Sequence, residues 1–232
     1  MFLKKISFLI SFLLISIVAT SQNKTNTFLY EGRVEKLPNN NVVLIGTASS
    51  VAFNFTGTEC TITLQSVDSW EHHNYVSLVL DGKYIGKLRI EKGAPQSFPV
   101  KVTSDKKEHT LEIYKTTEAQ SGGVLFAGTT AKLTSITSKK KKKIEFIGDS
   151  ITCGAASDPS DVPCDKGEYF DHHNGYYAYG PVLSREIGVD YLMSSVSGIG
   201  MYRNWNDENK DEAIMPDVYG NLYLTKDNSK PK

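Results

Sequence analysis

The alternation of apolar and polar residues is the clearest pattern in the first half of the chain. From Thr27 to about Ser138, short alternating runs recur at spacings of about 8–12 residues, with Gly, Asp and Lys between them. In residues 50–55, for example, the spacing places Val51, Phe53 and Phe55 on one face of a strand. We interpret residues 27–138 as an antiparallel β-sandwich, because short strands separated by turn residues are typical of that architecture.

The predicted strands of this region cover residues 41–46, 50–55, 60–64, 75–80, 83–90, 96–102, 109–115 and 124–133. Asp81-Gly82 separates two of them, and an Asp-Gly pair between alternating runs is the strongest short-range signal for a hairpin. We therefore expect Asp81-Gly82 to form a hairpin tip.

The pattern changes at a run of five lysines, Lys139 to Lys143. Such a run could bind anions, but it is more typical of a solvated connector, and its position between two patterns predicts a linker at 139–143. Beyond it, Ile144, Phe146 and Ile147 indicate a short buried strand. Residues 144–232 are therefore expected to form a second, partial domain.

The second region has the order strand, loop, helix, strand. Residues 155–173 are polar and rich in Asp, Pro and Gly, which indicates a surface loop of the kind that carries specificity. A helix is predicted to end at Gly188, and its apolar residues recur near helical spacing at Tyr179, Val182, Leu183 and Ile187. Residues 189–194 form the second predicted strand, so this region reads as the start of a parallel α/β sheet.

Composition limits the classes of function. The chain has 232 residues, of which 40% are hydrophobic and 22% are charged, as in a globular protein of one large or two small domains. The formal net charge is zero, so no excess of basic residues exists to neutralise phosphates. Nucleic acid is therefore not an expected partner.

The amino terminus has the pattern of a cleavable signal peptide. Lys4 and Lys5 precede an apolar core at residues 6–18, and Ala19-Thr20-Ser21 supplies small residues before a cleavage site. A retained anchor is the weaker alternative, because a spanning helix needs about 20 apolar residues. We expect residues 1–21 to be removed and the protein to be secreted or periplasmic, with no membrane contact afterwards.

The three cysteines do not predict a metal site. Cys153 and Cys164 could form a disulfide that would staple the loop between them, whereas Cys60 lies in an alternating run and is expected to be a buried thiol. No Cys-x-x-Cys motif or Cys/His spacing is typical of zinc. We expect neither a metal nor a cofactor.

Ser150 is the main candidate for chemistry. It follows Gly148-Asp149 at the carboxyl end of the strand predicted at 144–148, where open α/β sheets bind ligands. Gly148 permits a tight turn, Asp149 can accept hydrogen bonds from local amides, and a helix start beyond Ser150 would direct N–H groups at an oxyanion. The alternative is an ordinary strand-to-helix turn that Asp149 and Ser150 cap.

The run Gly148-Asp149-Ser150-Ile151-Thr152 resembles the first block of the SGNH hydrolase superfamily, the GDSL-like esterases and lipases. The flanking residues 144–147 and Cys153-Gly154 narrow the resemblance towards carbohydrate esterase family 2. Ser195 to Gly200 resembles the second block. The resemblance implies that Ser150 is the nucleophile and an oxyanion N–H donor, and that Gly198 contributes the other oxyanion N–H.

The resemblance also implies a fold and a substrate. The fold would be mixed, an N-terminal β-sandwich of jelly-roll type followed by an incomplete α/β domain of the flavodoxin-like SGNH kind. The substrate would be an O-acetylated polysaccharide or oligosaccharide, xylan-like, from which acetyl groups are removed. His109 to Glu118 resembles the sandwich segment of family 2, which implies no part in the catalytic pair.

Two blocks of the superfamily are not found in this sequence: the Gly-x-Asn-Asp block that supplies an oxyanion asparagine, and the late block with the catalytic histidine. No histidine follows His173, and neither His172 nor His173 lies where the family places its base. We therefore expect a C-terminally truncated member of the lineage with little or no esterase activity, since a serine nucleophile needs an adjacent base.

A non-catalytic, glycan-binding sandwich is the alternative function. An aromatic platform for a sugar could be formed by Trp70, His72, His73, Tyr75 and Tyr84. The structural interpretation is favoured: Tyr75 and Tyr84 would be cross-strand partners, and Trp70 would cover the edge of the sandwich.

Overall fold

The computed structural model describes residues 26–67, 71–138, 142–208, 211–226 and 231–232. The predicted signal peptide at 1–21 lies outside the described residues, as does Trp70. Within the described ranges, no helix has the length and apolar character needed to cross a membrane.

Two antiparallel sheets form the first region, as the alternation predicted. Their strands are β1 (Leu29–Glu31), β2 (Val34–Lys36), β3 (Val42–Leu44), β4 (Ser50–Thr56), β5 (Glu59–Val67), β6 (Asn74–Leu80), β7 (Lys83–Ile90), β8 (Gln96–Lys101), β9 (His109–Lys115), β10 (Gly123–Thr129) and β11 (Lys132–Thr134). One sheet has the order β1-β4-β9-β6-β7 with β11 also paired to β4, and the other has the order β2-β3-β10-β5-β8. Most connections cross between the sheets, as in a jelly roll.

The core lies between these two sheets. Val51, Phe53 and Phe55 of β4 are fully buried and pack against Ile62 and Leu64 of β5, which confirms the predicted inward face of residues 50–55. The predicted strand 124–133 is instead two strands. The chain changes sheets after Thr129, so that β10 pairs with β5 and β11 pairs with β4.

Asp81-Gly82 forms the hairpin tip between β6 and β7, as predicted. Both residues have positive φ, 53° and 79°, which is the backbone of a type I′ turn. The expected pairing of Tyr75 with Tyr84 is wrong. The turn pairs Leu80 with Lys83, and a bulge after Leu78 shifts the register, so Tyr75 lies opposite Arg89 and Tyr84 opposite Val79.

The second region contains the predicted order of strand, helix and strand. Its elements are β12 (Lys143–Gly148), α1 (Ser150–Cys153), α2 (Tyr179–Ile187), β13 (Asp190–Ser195) and α3 (Met215–Val218). The two strands pair in parallel from Lys143 opposite Asp190 to Gly148 opposite Ser195, so Lys143 already belongs to the strand. Gly188 ends α2 in the left-handed conformation, as expected.

The two regions pack through mixed apolar and polar contacts. Tyr191 and Met193 of β13 are buried against Ala48, Val79 and Tyr114 of the sandwich. The Tyr191 hydroxyl donates to the carbonyl of Ala48 at 2.7 Å. The sandwich therefore forms one wall of the second region and holds the parallel pair in place.

Candidate active site

The turn from β12 into α1 places Ser150 at the carboxyl end of the strand. Asp149 caps the helix by accepting the N–H of Ile151 at 3.1 Å, as the sequence predicted. A Cβ at position 148 would lie 2.2 Å from Oγ1 of Thr152, so the turn needs glycine there. The same sharp turn leaves the Ser150 side chain half-exposed.

The loop after β13, residues 196–200, forms the facing wall. We call it the oxyanion loop after the role that the resemblance implies for Gly198. The Val196 N–H donates to the carbonyl of Gly148 at 3.3 Å, and the Gly198 carbonyl accepts the N–H of Trp205 at 2.8 Å. Gly198 itself has φ of 76°, a conformation that favours glycine. The loop is therefore tied to the Ser150 turn on one side and to residue 205 on the other.

One cavity of about 640 Å³ brings the two predicted site residues together. Its lining comprises Asp149, Ser150, Tyr169, Ser197, Gly198, Ile199, Gly200, Arg203 and Trp205. Among the described residues, the N–H groups of Ser150 and Gly198 donate to no hydrogen-bond acceptor. Two unpaired N–H groups beside one cavity can hold an oxyanion.

Aromatic side chains border this cavity. The Trp205 side chain is 82% exposed, and the Tyr169 ring is also exposed. The Tyr169 hydroxyl lies 3.1 Å from Oγ of Ser197, which joins the long loop before α2 to the oxyanion loop. The cavity is thus open to solvent and has two apolar ring faces at its edge.

No histidine lines this cavity, although all five histidines of the sequence lie in the described ranges. The His172 ring is within 2.8 Å of the Pro163 carbonyl. His173 is fully buried, with its ring edge-on to Tyr169, and neither of its ring nitrogens is hydrogen-bonded. Burial, helped by the Lys115 ammonium, lowers the pKa of His173 to about 4, although the Glu118 carboxylate acts in the opposite direction.

Glu118 is the functional candidate that the sequence reasoning missed. It follows β9 in the sandwich, it is 3% exposed, and its Oε2 accepts the N–H of Ser197 at 2.6 Å. The resemblance assigns the segment 109–118 to the sandwich and not to the catalytic pair, and it names no other role for Glu118. The only signal in the sequence is an acidic residue shortly after the strand 109–115, and no local pattern connects position 118 with position 197.

The three cysteines are all free thiols. Cys60 is a buried free thiol, as expected. The disulfide considered between Cys153 and Cys164 is not formed, because Cys153 faces the interior and Cys164 is exposed. Burial, and then the neighbouring Glu118, raise the pKa of the Cys153 thiol well above its usual value.

The described residues of the alternative aromatic platform do not form an exposed face. His73 and Tyr75 are buried, and both contact Asp171 of the second region. His72 stacks on Phe170. In the described part of the chain, no group of three or more His, Cys, Asp and Glu side chains is arranged to hold a metal ion.

Comparisons with known proteins agree with the motif. Residues 30–154, more than half of the chain, match the family described as carbohydrate esterase 2 N-terminal. The chain is 31% identical over 149 residues to the acetylxylan esterase / glucomannan deacetylase of Cellvibrio japonicus, covering 62% of this chain and 40% of that protein. It is 30% identical over 187 residues to the cellulase/esterase CelE of Acetivibrio thermocellus, covering 76% of this chain and 21% of that protein.

A solved structure shows the same architecture. A family two carbohydrate esterase from Clostridium thermocellum, in complex with cellohexaose, aligns with a TM-score of 0.73 at 26% identity. The alignment covers 85% of this chain and 59% of that one. The chain therefore spans less than two thirds of the length of each of these relatives.

Proposed function

The chain belongs to the carbohydrate esterase 2 N-terminal family, and from that membership we propose that it represents a secreted esterase that deacetylates O-acetylated, xylan-like polysaccharide. The observation that carries the proposal is the convergence of Ser150 and Gly198, from two separate loops, on one cavity. The names of the relatives support the substrate class, since one is an acetylxylan esterase / glucomannan deacetylase. Secretion rests on the signal-peptide pattern of residues 1–21.

Ser150 is the proposed nucleophile. Its Oγ attacks the acetyl carbonyl carbon, and the carbonyl π electrons move to the oxygen, which becomes a tetrahedral oxyanion. The N–H groups of Ser150 and Gly198 then donate to that oxyanion, which stabilises the transition state more than the ground state. Collapse of the intermediate breaks the bond to the sugar oxygen, which takes up the proton removed from Ser150 and leaves as a hydroxyl group. Water then attacks the acyl-serine carbonyl, and acetate leaves as the Ser150 hydroxyl is restored.

The proton of the Ser150 hydroxyl has to pass to a base in the first step. None of the five histidines lines the cavity, and His173 is held neutral in the interior. We therefore propose that a polypeptide with these 232 residues hydrolyses esters at close to the background rate, although its nucleophile is in place.

The parallel pair β12–β13 is proposed to be the first part of a flavodoxin-like SGNH sheet. Its support is the order of strand, helix and strand, together with the position of the two loops at the carboxyl ends of both strands. In open α/β sheets, ligands bind at that edge. The exposed rings of Tyr169 and Trp205 beside the cavity suit the apolar faces of a sugar chain.

The test is acetate release from acetylated xylan with and without added imidazole. The unmodified chain, Ser150→Ala and the exposed-serine control Ser97→Ala should all show near-background rates without imidazole. Added imidazole can take the place of the missing base, and a general base contributes about 10²-fold or more. We expect imidazole to raise turnover by the unmodified chain and by Ser97→Ala about 10- to 100-fold above that of Ser150→Ala.

Two results would contradict the proposal. If imidazole accelerates the unmodified chain and Ser150→Ala equally, Ser150 is not a nucleophile. If turnover is well above background without imidazole and disappears in Ser150→Ala, a base lies within reach, and His172 and His173 are the first residues to replace.

A further inference from the structure

A buried carboxylate of the sandwich reaches the wall of the candidate active site. Glu118 immediately follows Thr117 and precedes a short 3₁₀ helix at Ala119–Ser121. Its main chain is anchored by the buried Lys115, whose ammonium donates to the carbonyls of Thr117 at 2.8 Å and Glu118 at 2.7 Å. The position of the Glu118 backbone is therefore set by the sandwich and not by the second region.

The side chain of Glu118 connects the two loops that form the site. Its Oε2 accepts the N–H of Ser197 in the oxyanion loop at 2.6 Å and the S–H of Cys153, the last residue of α1, at 3.5 Å. A hydrogen bond of this length between an N–H and a charged acceptor is of the strong, charge-assisted kind. Oε2 of Glu118 thus contacts both loops. It binds Cys153, the last residue of the helix that begins at Ser150, and Ser197, the residue before Gly198.

We propose that Glu118 is a positioning residue that fixes the oxyanion loop so that the Gly198 N–H faces Ser150. This rests on the proposed esterase function of Ser150 and Gly198. The Ser197 N–H is bound to Glu118, and the next N–H along the chain, that of Gly198, is unpaired beside the cavity. The sandwich is then part of the catalytic framework, since it supplies the group that orients an oxyanion donor.

Burial makes this contact specific to a carboxylate. Burying a carboxylate without hydrogen-bond partners is costly, and the Glu118 carboxylate is paired with the Ser197 N–H and the Cys153 thiol. The other titratable groups that face it are the Cys153 thiol and the His173 ring, and burial keeps both of these neutral near pH 7. An alanine at 118 would remove the acceptor of the partly buried Ser197 N–H, and the oxyanion loop would lose its link to the sandwich.

The experiment compares the full 232-residue chain with Glu118→Gln and Glu118→Ala, and with Glu59→Gln as a control at an exposed strand position. The first readout is the backbone amide proton shift of Ser197 and Gly198, measured by NMR without substrate. We expect the Ser197 amide proton to lie far downfield in the unmodified chain and in Glu59→Gln. The Ser197 signal should move upfield in Glu118→Gln, which keeps a neutral acceptor, and further upfield in Glu118→Ala. The Gly198 signal should move with it in both variants.

The second readout is turnover of acetylated xylan rescued by imidazole. We expect kcat to fall about 10-fold in Glu118→Gln and about 100-fold in Glu118→Ala with KM unchanged, since misplacing an oxyanion donor costs about 10²-fold. A purely structural role would lower the resistance to urea while kcat per folded molecule and the Gly198 shift stayed the same, and that result would overturn the proposal.

The two readouts separate the two proposals. A Ser197 shift that follows Glu118, with no imidazole-dependent turnover in any chain, would mean that the esterase function is wrong while Glu118 still holds the loop. Unchanged Ser197 and Gly198 shifts in both Glu118 variants would exclude the positioning role, whatever the turnover. If Glu118→Ala does not fold, Glu118→Gln, which has the same shape, decides between these outcomes.

Discussion

The sandwich buries the apolar faces of its strands, whereas helix α2 of the second region leaves its apolar residues exposed. In the sandwich, the apolar side of each alternating strand is buried between two sheets, and Phe53 and Ile113 are fully inaccessible. In the second region, the apolar residues of α2 are 36–54% exposed, namely Tyr179, Val182, Leu183 and Ile187. The buried residues of α2 are Gly180, Pro181 and Ser184.

This difference shows that a sequence pattern identifies the apolar face of an element but not the layer that packs against it. A sandwich supplies its own second layer, because each sheet covers the other. A parallel pair such as β12–β13 has to be covered on both faces. In the part of the chain that the structure describes, the sandwich covers Tyr191 and Met193 of β13, whereas Ile147 of β12 is exposed.

The contrast between the two regions is tested most directly by truncating one isoleucine in each of them. Ile113→Ala, in the core of the sandwich, is expected to lower the free energy of unfolding by about 4 kcal/mol, because it leaves a cavity. Ile187→Ala, at an exposed position of α2, is expected to change it by less than about 0.5 kcal/mol. Urea unfolding of the two variants and the unmodified chain measures both values.

A large loss of stability in Ile187→Ala would contradict this contrast, since it would mean that the α2 face is covered in solution. Light scattering on the same samples would show whether a second copy of the chain provides that cover.

The sandwich could be predicted well because its signals are local. The strands 83–90 and 109–115 were predicted with their observed bounds, since alternation and turn residues both mark their ends. The expected pairing of Tyr75 with Tyr84 conflicts with the two-residue turn itself, which sets Tyr84 opposite Val79. The bulge after Leu78, which leaves no sequence signal, then places Tyr75 opposite Arg89.

The candidate site was only partly accessible from sequence for a related reason. The meeting of Ser150 and Gly198 follows from topology, because the carboxyl ends of two paired parallel strands lie at one edge of the sheet. Glu118 joins them from a different region, 79 positions before Ser197. Contacts of that kind depend on how two regions dock, which no periodicity of either region encodes.

Arg33 offers a way to separate the two regions. It is buried, and its guanidinium donates to the carbonyls of Met193, Asn221 and Tyr219 and to Oγ of Ser194 at 2.7–3.3 Å. Burial lowers its pKa to about 10, so it remains charged near neutral pH. Arg33→Met should cost about 3 kcal/mol, since it leaves buried acceptors unpaired.

Hydrogen exchange tests this prediction, because the loss of amide protection should be confined to the second region. The amides of β13 should exchange faster in Arg33→Met, while those of β9 in the sandwich core should keep their protection. The control is Arg89→Met, which removes an exposed pair with Glu91 and should change stability by less than about 0.5 kcal/mol. Equal loss of protection in β9 and β13 would mean that the two regions unfold as one unit.

The smallest effect is expected at Asp171, a second link between the regions. This buried carboxylate accepts the Tyr75 hydroxyl at 3.0 Å and the Glu168 N–H at 2.8 Å, and it lies 2.5 Å from Nε2 of His73. Burial alone would raise the pKa of Asp171, but these hydrogen bonds lower it below its usual value. Asp171→Asn should therefore cost about 2 kcal/mol at pH 7, the typical contribution of hydrogen bonds to a charged group.

The sign of the pH dependence follows from that lowered pKa. A carboxyl group whose pKa is lower in the folded chain stabilises it fully above the unfolded value of about 3.9, and the contribution is lost as the pH falls through the folded value. The stability difference between the unmodified chain and Asp171→Asn should therefore be present at pH 5 and shrink below about pH 4. Urea unfolding at each pH measures it, with the exposed Asp165→Asn as a control that should show no difference at any pH. A difference that does not shrink below about pH 4 would contradict the lowered pKa of Asp171 and the charged link that it provides between the two regions.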